Sequence, residues 1–157
     1  MFDWIKRILL GNDFVQVKIL LDNMTFFPQR QTSQSAGYDL RAAISQPIVL
    51  EKNKPVLIET GIRIELPKDY HAKICIRSSL GKKGILIPNA PGIIDSDYRD
   101  EIKVILMNTQ DEAITINPQE RIAQMLVEKN LKIIWEFVSE LSKTDRNLGG
   151  FGSTGAL

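Results

Sequence analysis

Hydrophobic positions along the chain recur mainly with a period of two. Near the start, Val15, Val17, Ile19 and Leu21 alternate with their neighbours. Ile62, Ile64 and Leu66 alternate with Arg63 and Glu65, and Ala72, Ile74 and Ile76 with His71, Lys73, Cys75 and Arg77. Ile102, Val104 and Leu106 oppose Lys103, Ile105 and Met107; Ile133, Trp135 and Phe137 oppose Lys132, Ile134 and Glu136. Short alternating runs predict strands with one buried face. Turn chemistry separates them at Gln46-Pro47, Asn53-Lys54-Pro55, Pro67-Lys68-Asp69, Pro91-Gly92 and Asn117-Pro118. Many short strands at regular spacing predict an all-β sandwich, jelly roll or barrel. No long helical stripe competes. The one internal helix expected is short, over 78–83, with a serine capping its first turn.

The two ends break the pattern. Residues 1–14 form an N-terminal extension in which Phe2, Trp4, Ile5, Ile8, Leu9 and Leu10 are interrupted by Asp3, Lys6 and Arg7. That predicts a short amphipathic helix packing on the domain or a partner. It is too short to cross a bilayer and lacks a small-residue cleavage site, so no membrane partner and a cytoplasmic location are expected. The stretch 142–157, SKTDRNLGGFGSTGAL, carries four glycines and one aromatic and cannot supply a core face. Glycines let backbone N–H groups approach an anion, arginine offers a fork to phosphate, and phenylalanine a stacking plane to a base. This composition reads as a nucleotide-binding arm that orders with its ligand, leaving 15–141 as the β domain.

Composition narrows the chemistry. A chain of 157 residues fits one domain, and 20 Lys plus Arg against 19 Asp plus Glu excludes a strongly basic nucleic-acid coat. One cysteine, Cys75, excludes an internal disulfide framework, and one histidine, His71, excludes a multi-histidine metal site within the chain. These two residues share a strand's polar face, and neither has a triad or ligand set near it in sequence.

Five segments then stand in order: SAGYDLRA at 35–42, RSSLG at 77–81, NAPGIIDSDYRDE at 89–101, ERIAQ at 120–124 and RNLGGFGSTG at 146–155. Together they resemble the trimeric dUTPases, over almost the whole chain from about Val15 onward. The resemblance implies a distorted jelly-roll (β-clip) domain with one short helix. It also implies a homotrimer whose composite sites draw on more than one subunit, with a flexible C-terminal arm closing over a neighbour's site. The implied activity is hydrolysis of dUTP to dUMP and pyrophosphate, with Mg²⁺ as cofactor and no nucleic-acid partner.

The roles carried over by resemblance are specific. Asp95 orients and deprotonates the water that attacks the α-phosphorus in line. Tyr98 stacks beneath the deoxyribose and leaves no room for a 2′-hydroxyl. Asn89, with the hairpin backbone through Gly92 and Ile94, reads the uracil edge, so cytosine is left with unpaired groups. Arg77, Ser78, Ser79 and Gly81 serve the phosphates, and Gln124 contacts phosphate or the water. Asp39 reaches the hydration shell of the magnesium ion, while Gly37 meets a backbone need. In the arm, Arg146 pairs with the γ-phosphate, Phe151 stacks on uracil, and Gly152, Ser153 and Thr154 meet the terminal phosphates.

Three positions depart from the family pattern, each holding another residue where glycine is usual: Asp100, Gln119 and Asn147. Asp100 puts the turn geometry and the charge around Asp95 in question. A related enzyme, dCTP deaminase, shares the RSSLG-like and RIAQ-like segments, but its third motif needs a glutamate where Arg99 stands here. A trimer of the same fold with a binding role is the other reading; Asp95, Tyr98, Arg146 and Phe151 together favour catalysis.

Overall fold

A computed structural model describes residues 14–145. The alternation folds into eleven strands among the described residues: β1 (Lys18–Leu21), β2 (Tyr38–Arg41), β3 (Ile48–Leu50), β4 (Pro55–Glu59), β5 (Ile62–Glu65), β6 (Tyr70–Ile76), β7 (Ile85–Leu86), β8 (Gly92–Ile94), β9 (Lys103–Asn108), β10 (Ile114–Ile116) and β11 (Arg121–Lys129). A single α-helix, α1 (Ser78–Lys82), and a 3-10 turn at Met24–Phe26 complete the set. All strand pairings are antiparallel. One sheet has the order β2-β11-β6-β8 and a second β4-β9-β7, with β1-β5 and β3-β10 as two-stranded ribbons. Such non-sequential antiparallel pairing is the distorted jelly roll expected from the resemblance.

The buried face of each run is the one the alternation marks. Ile62, Ile64 and Leu66, then Ala72 and Ile74, then Ile102, Val104 and Leu106 all lie in the core, joined by Leu40, Leu50, Ile58, Ile85, Ile116 and Ile122. Each fully buried Leu or Ile contributes about 1.5–3 kcal/mol. Among the described residues the core admits three polar or charged side chains, Thr60, Glu101 and Asn108. The Asn108 amide donates to the Leu50 and Glu112 carbonyls and accepts from the Gln110 N–H, stitching β9 to β3 and the following turn. Asn53 and Gln119 adopt left-handed backbone, with φ of 56° and 62°.

Three expectations change. The first strand begins at Lys18 rather than Val15. Arg77, not a serine, is the N-cap of α1, and no side chain caps it; Ser78 and Ser79 occupy the first turn with their side chains outward while Leu80 is buried. The alternation at Ile133, Trp135 and Phe137 forms no strand. It pairs with no strand among the described residues, and both of its faces stand in solvent, with Ile134 94% and Phe137 98% exposed.

Candidate active site

The site residues gather at two places along β6. At its C-terminal end, register places Gln124 of β11 between Asp39 of β2 and Cys75 of β6. Directly opposed residues of an antiparallel sheet share a face. Asp39 is the electrostatic centre of this corner: Oδ1 accepts from Arg77 Nε at 3.1 Å and Oδ2 from an Arg121 terminal nitrogen at 3.0 Å. Its side chain is only 11% exposed. Arg77 also donates to the Arg121 carbonyl at 3.2 Å, so the two guanidinium groups share one carboxylate and Arg77 is fixed to β11 as well. Arg121 is thus a structural partner of Asp39.

Gly37 meets this corner at close range. A Cβ there would fall 2.7 Å from Gln124 Oε1 and 3.1 Å from Gln124 Cβ. The backbone need at Gly37 is therefore room for the glutamine, whose Nε2 reaches toward the Ile76 carbonyl at 3.4 Å. Ser78, Ser79 and Gly81 continue from Arg77 on the exposed side of α1.

The second place is the hairpin beside the other half of β6. Gly92, Ile93 and Ile94 of β8 pair with Ile74, Lys73 and Ala72. Asn89, Gly92, Ile94, Ile74 and Ile87 line a small depression there, and the Ala90–Pro91 peptide is cis. The chain leaves β8 at Asp95. This carboxylate is exposed, and no hydrogen bond or ion pair engages it among the described residues. The loop after it is self-bonded: the Tyr98 N–H donates to the Asp95 carbonyl at 3.2 Å, and the Arg99 guanidinium donates to the Ser96 and Tyr98 carbonyls at 2.7 and 2.8 Å. Tyr98, 40% exposed, donates its hydroxyl to the Glu101 carbonyl at 2.9 Å.

The two places do not meet. Ile94 lies opposite Ala72, and Arg77 follows the end of β6 five residues further on, a backbone separation of about 16 Å at the rise of a strand. Arg146, Phe151, Gly152, Ser153 and Thr154, and the departure at Asn147, lie outside the described residues.

The other two departures resolve differently. Asp100 does not sit in the left-handed region, so its turn needs no glycine, and its carboxylate accepts the Glu101 N–H at 2.7 Å. Gln119 does sit there, just before Arg121, and its carbonyl accepts from Arg41 at 2.9 Å. Around the site, the Glu59 carboxylate raises the Lys103 ammonium above its ordinary value, and the Lys73 ammonium holds the Glu128 carboxyl below its own. Glu101 is the buried group that the sequence reading missed.

No group of three or more His, Cys, Asp or Glu able to hold a metal occurs among the described residues. Asp39 already has one arginine on each oxygen, but a carboxylate offers about four acceptor positions, so water can still bind it. This donor set fits an ion ligated mainly by phosphate and water, the habit of Mg²⁺.

The sequence profile of the dUTPases matches residues 24–155. The chain belongs to the dUTPase family. The deoxyuridine 5′-triphosphate nucleotidohydrolase of Rickettsia felis is 48% identical over 142 residues, covering 90% of this chain and 96% of its own length. The Bdellovibrio bacteriovorus enzyme of the same name is 42% identical, covering 90% and 95%. Among solved dUTPases, a mutant from Staphylococcus bacteriophage 80alpha with dUpNHpp superposes with a TM-score of 0.74 at 22% identity, over 89% of this chain and 98% of that one. A phage phi11 mutant, in which a structural Mg(II) ion is coordinated, gives 0.68 at 20% identity, over 80% and 97%. The likeness of these two phage proteins is one of fold.

Proposed function

We propose that this dUTP diphosphatase converts dUTP and water to dUMP and pyrophosphate at sites shared between copies of the chain, with Asp95 as the base. The activity follows from the family. The observation that supports the residue assignment is the exposed Asp95 carboxylate at the mouth of the Asn89–Ile94 hairpin, without a side-chain partner among the described residues. A general base needs free lone pairs and reach to a water, and Asp95 stands open to solvent, whereas Asp39 is charge-paired with Arg77 and Arg121 and Glu101 is buried on the Thr60 and Gly61 N–H groups.

The water held by Asp95 attacks the α-phosphorus, its proton passes toward the carboxylate, and the bond to the bridging oxygen of pyrophosphate breaks. Asn89 and the hairpin backbone hold the uracil edge, and Tyr98 lies against the deoxyribose. Arg77 and Ser78, with Ser79 and Gly81 on the same turn, grip the phosphate chain. Gln124 meets phosphate or the water. Mg²⁺, when bound, supplies positive charge to the phosphate oxygens, and Asp39 faces its hydration shell. Arg146, Phe151, Gly152, Ser153 and Thr154 close the arm over the nucleotide and exclude other water.

Sharing of sites between copies is supported by the separation along β6. A triphosphate is shorter than that backbone separation, which favours halves contributed by different copies of the chain. The segment after Asn130 also leaves Leu131, Ile133, Trp135 and Phe137 exposed on one face, as a strand destined for another subunit would. A homotrimer supplies both needs. The domain division into an extension at 1–14, a β domain at 15–141 and an arm at 142–157 belongs to this reading. So does a cytoplasmic location; no helix among the described residues is long and apolar enough to cross a membrane.

Incubation with dUTP, dCTP, dTTP and UTP in Mg²⁺, with product analysis, tests the reading. Pyrophosphate from dUTP alone is expected. Ammonia from dCTP, or equal turnover of dTTP, would contradict it.

A further inference from the structure

Glu101 closes the loop that carries Asp95 and Tyr98, and no step of the reaction uses it. Its surroundings are those of an anchor. The residue is 7% exposed, and a carboxylate is tolerated there only when donors match its charge. Oε1 accepts the backbone N–H groups of Gly61 at 2.7 Å and Thr60 at 3.1 Å, and Lys103 Nζ stands 3.8 Å from Oε2. The Thr60 hydroxyl donates to the Ile102 carbonyl, and the Ile102 N–H donates to the Ile62 carbonyl at 2.8 Å. Residues 101–102 and the β4–β5 turn are therefore one bonded unit. The turn is itself confined: Gly61 has φ of +67°, and a Cβ on it would lie 2.9 Å from the Phe26 ring.

Tyr98 is tied to this unit through its hydroxyl, which donates to the Glu101 carbonyl. A ring that is 40% exposed has few packing neighbours to set its angle. The Arg99 bonds and the Asp95–Tyr98 turn are internal to the loop and move with it. Among the described residues one other bond leaves the loop, from the Ser96 hydroxyl to the Lys68 carbonyl, and at 3.3 Å it is long for its type.

We infer that Glu101 is a positioning residue for sugar discrimination. Docked on the Thr60 and Gly61 N–H groups, its carboxylate fixes the carbonyl that holds the Tyr98 hydroxyl, and so fixes the ring against which the sugar rests. A ring excludes a 2′-hydroxyl only if it cannot yield by a fraction of an ångström, which is the service a rigid second layer provides. This inference rests on the sugar-facing reading of Tyr98.

The test is the ratio of kcat/KM for dUTP to that for UTP, because a loss of folded enzyme lowers both and leaves the ratio unchanged. Glu101→Ala should lower the ratio about tenfold, the scale of one lost hydrogen-bonded restraint. Glu101→Gln keeps the Oε1 acceptor and should stay within about twofold of wild type. Tyr98→Phe removes only the tether and should fall about as far as Glu101→Ala, which keeps the question answerable if Glu101→Ala does not fold. A wild-type ratio in Glu101→Ala, or in Tyr98→Phe, overturns the inference. Tyr98→Ala separates the two layers. If it leaves the ratio intact, the sugar-facing reading fails; if it relaxes the ratio while Glu101→Ala and Tyr98→Phe do not, only the role of Glu101 falls.

Discussion

The two ends of β6 treat charge in opposite ways. At the Arg77 end, Asp39 has a guanidinium on each oxygen, and Gln124 fills the space that Gly37 leaves. At the Asp95 end, the carboxylate stands in solvent with no partner among the described residues. The contrast follows from the two tasks. Groups that grip a polyanion gain from being ordered beforehand, since ordering them on binding costs affinity. A base that must hold a water gains from having nothing else to hold. The first end is built as structure and the second is left open, and the proposed reaction needs both around one phosphorus atom.

Breaking the open end should have the largest effect. Asp95→Asn should lower pyrophosphate release by about 10²–10⁴-fold while a non-hydrolysable dUTP analogue still binds, as measured by calorimetry. Turnover equal to wild type would remove Asp95 from the mechanism. Deleting residues 146–157 should leave a folded trimer by sedimentation yet reduce turnover about a hundredfold, the scale of a lost positioning element. Full activity after truncation would contradict the closing arm.

Breaking the ordered end should appear first as stability. Asp39→Asn leaves two arginines without their counter-charge. Because the pairs are partly exposed, with side-chain exposure of 23% for Arg77 and 34% for Arg121, the expected loss is about 1–3 kcal/mol rather than the full cost of a buried pair. Thermal unfolding reads it, and an unchanged midpoint would mean the corner is not preorganised by Asp39. Gln119→Gly relieves left-handed backbone at the turn entering β11 and should gain about 0.5–1 kcal/mol; a lower midpoint would show that the Gln119 side chain matters more than its φ.

The smallest effect lies between the two ends, at Lys73–Glu128, with N···O at 2.7 Å. The hydrogen bond from Lys73 lowers the Glu128 carboxyl, so the pair's contribution is present above the unfolded carboxyl's value. It is lost as pH falls through the depressed folded one. Glu128→Gln should flatten the acid limb of the stability profile slightly and leave neutral pH nearly unchanged.

Much of this was legible in the residues. Alternation at 62–66, 72–76 and 102–106 placed the core faces, and the motif order placed both halves of the site on named turns and strands. What escaped had physical reasons. The alternation at 133–137 states that two faces exist but not whether a sheet edge is there to pair with. Ser78 carries a capping side chain, yet Arg77 takes the cap position because β6 runs directly into α1. Glu101 is buried through contacts with a turn forty residues earlier in the chain, and no local period encodes that. Asp39 stood out as a candidate through its motif, but its two arginines are brought together only by the pairing of β2 with β11 and β11 with β6.

The central claim, that Asp95 of one copy works with the arginine corner of another, is tested most directly by mixing two inactive proteins. Asp95→Asn and Arg77→Ala chains, refolded together in equal amounts, should form mixed trimers in which one site of the three joins an intact Asp95 to an intact Arg77. Random assembly then restores about a quarter of the wild-type sites. Recovery near that level supports sites shared between subunits, whereas a mixture no more active than its parents, with mixed trimers present by mass spectrometry, would contradict it.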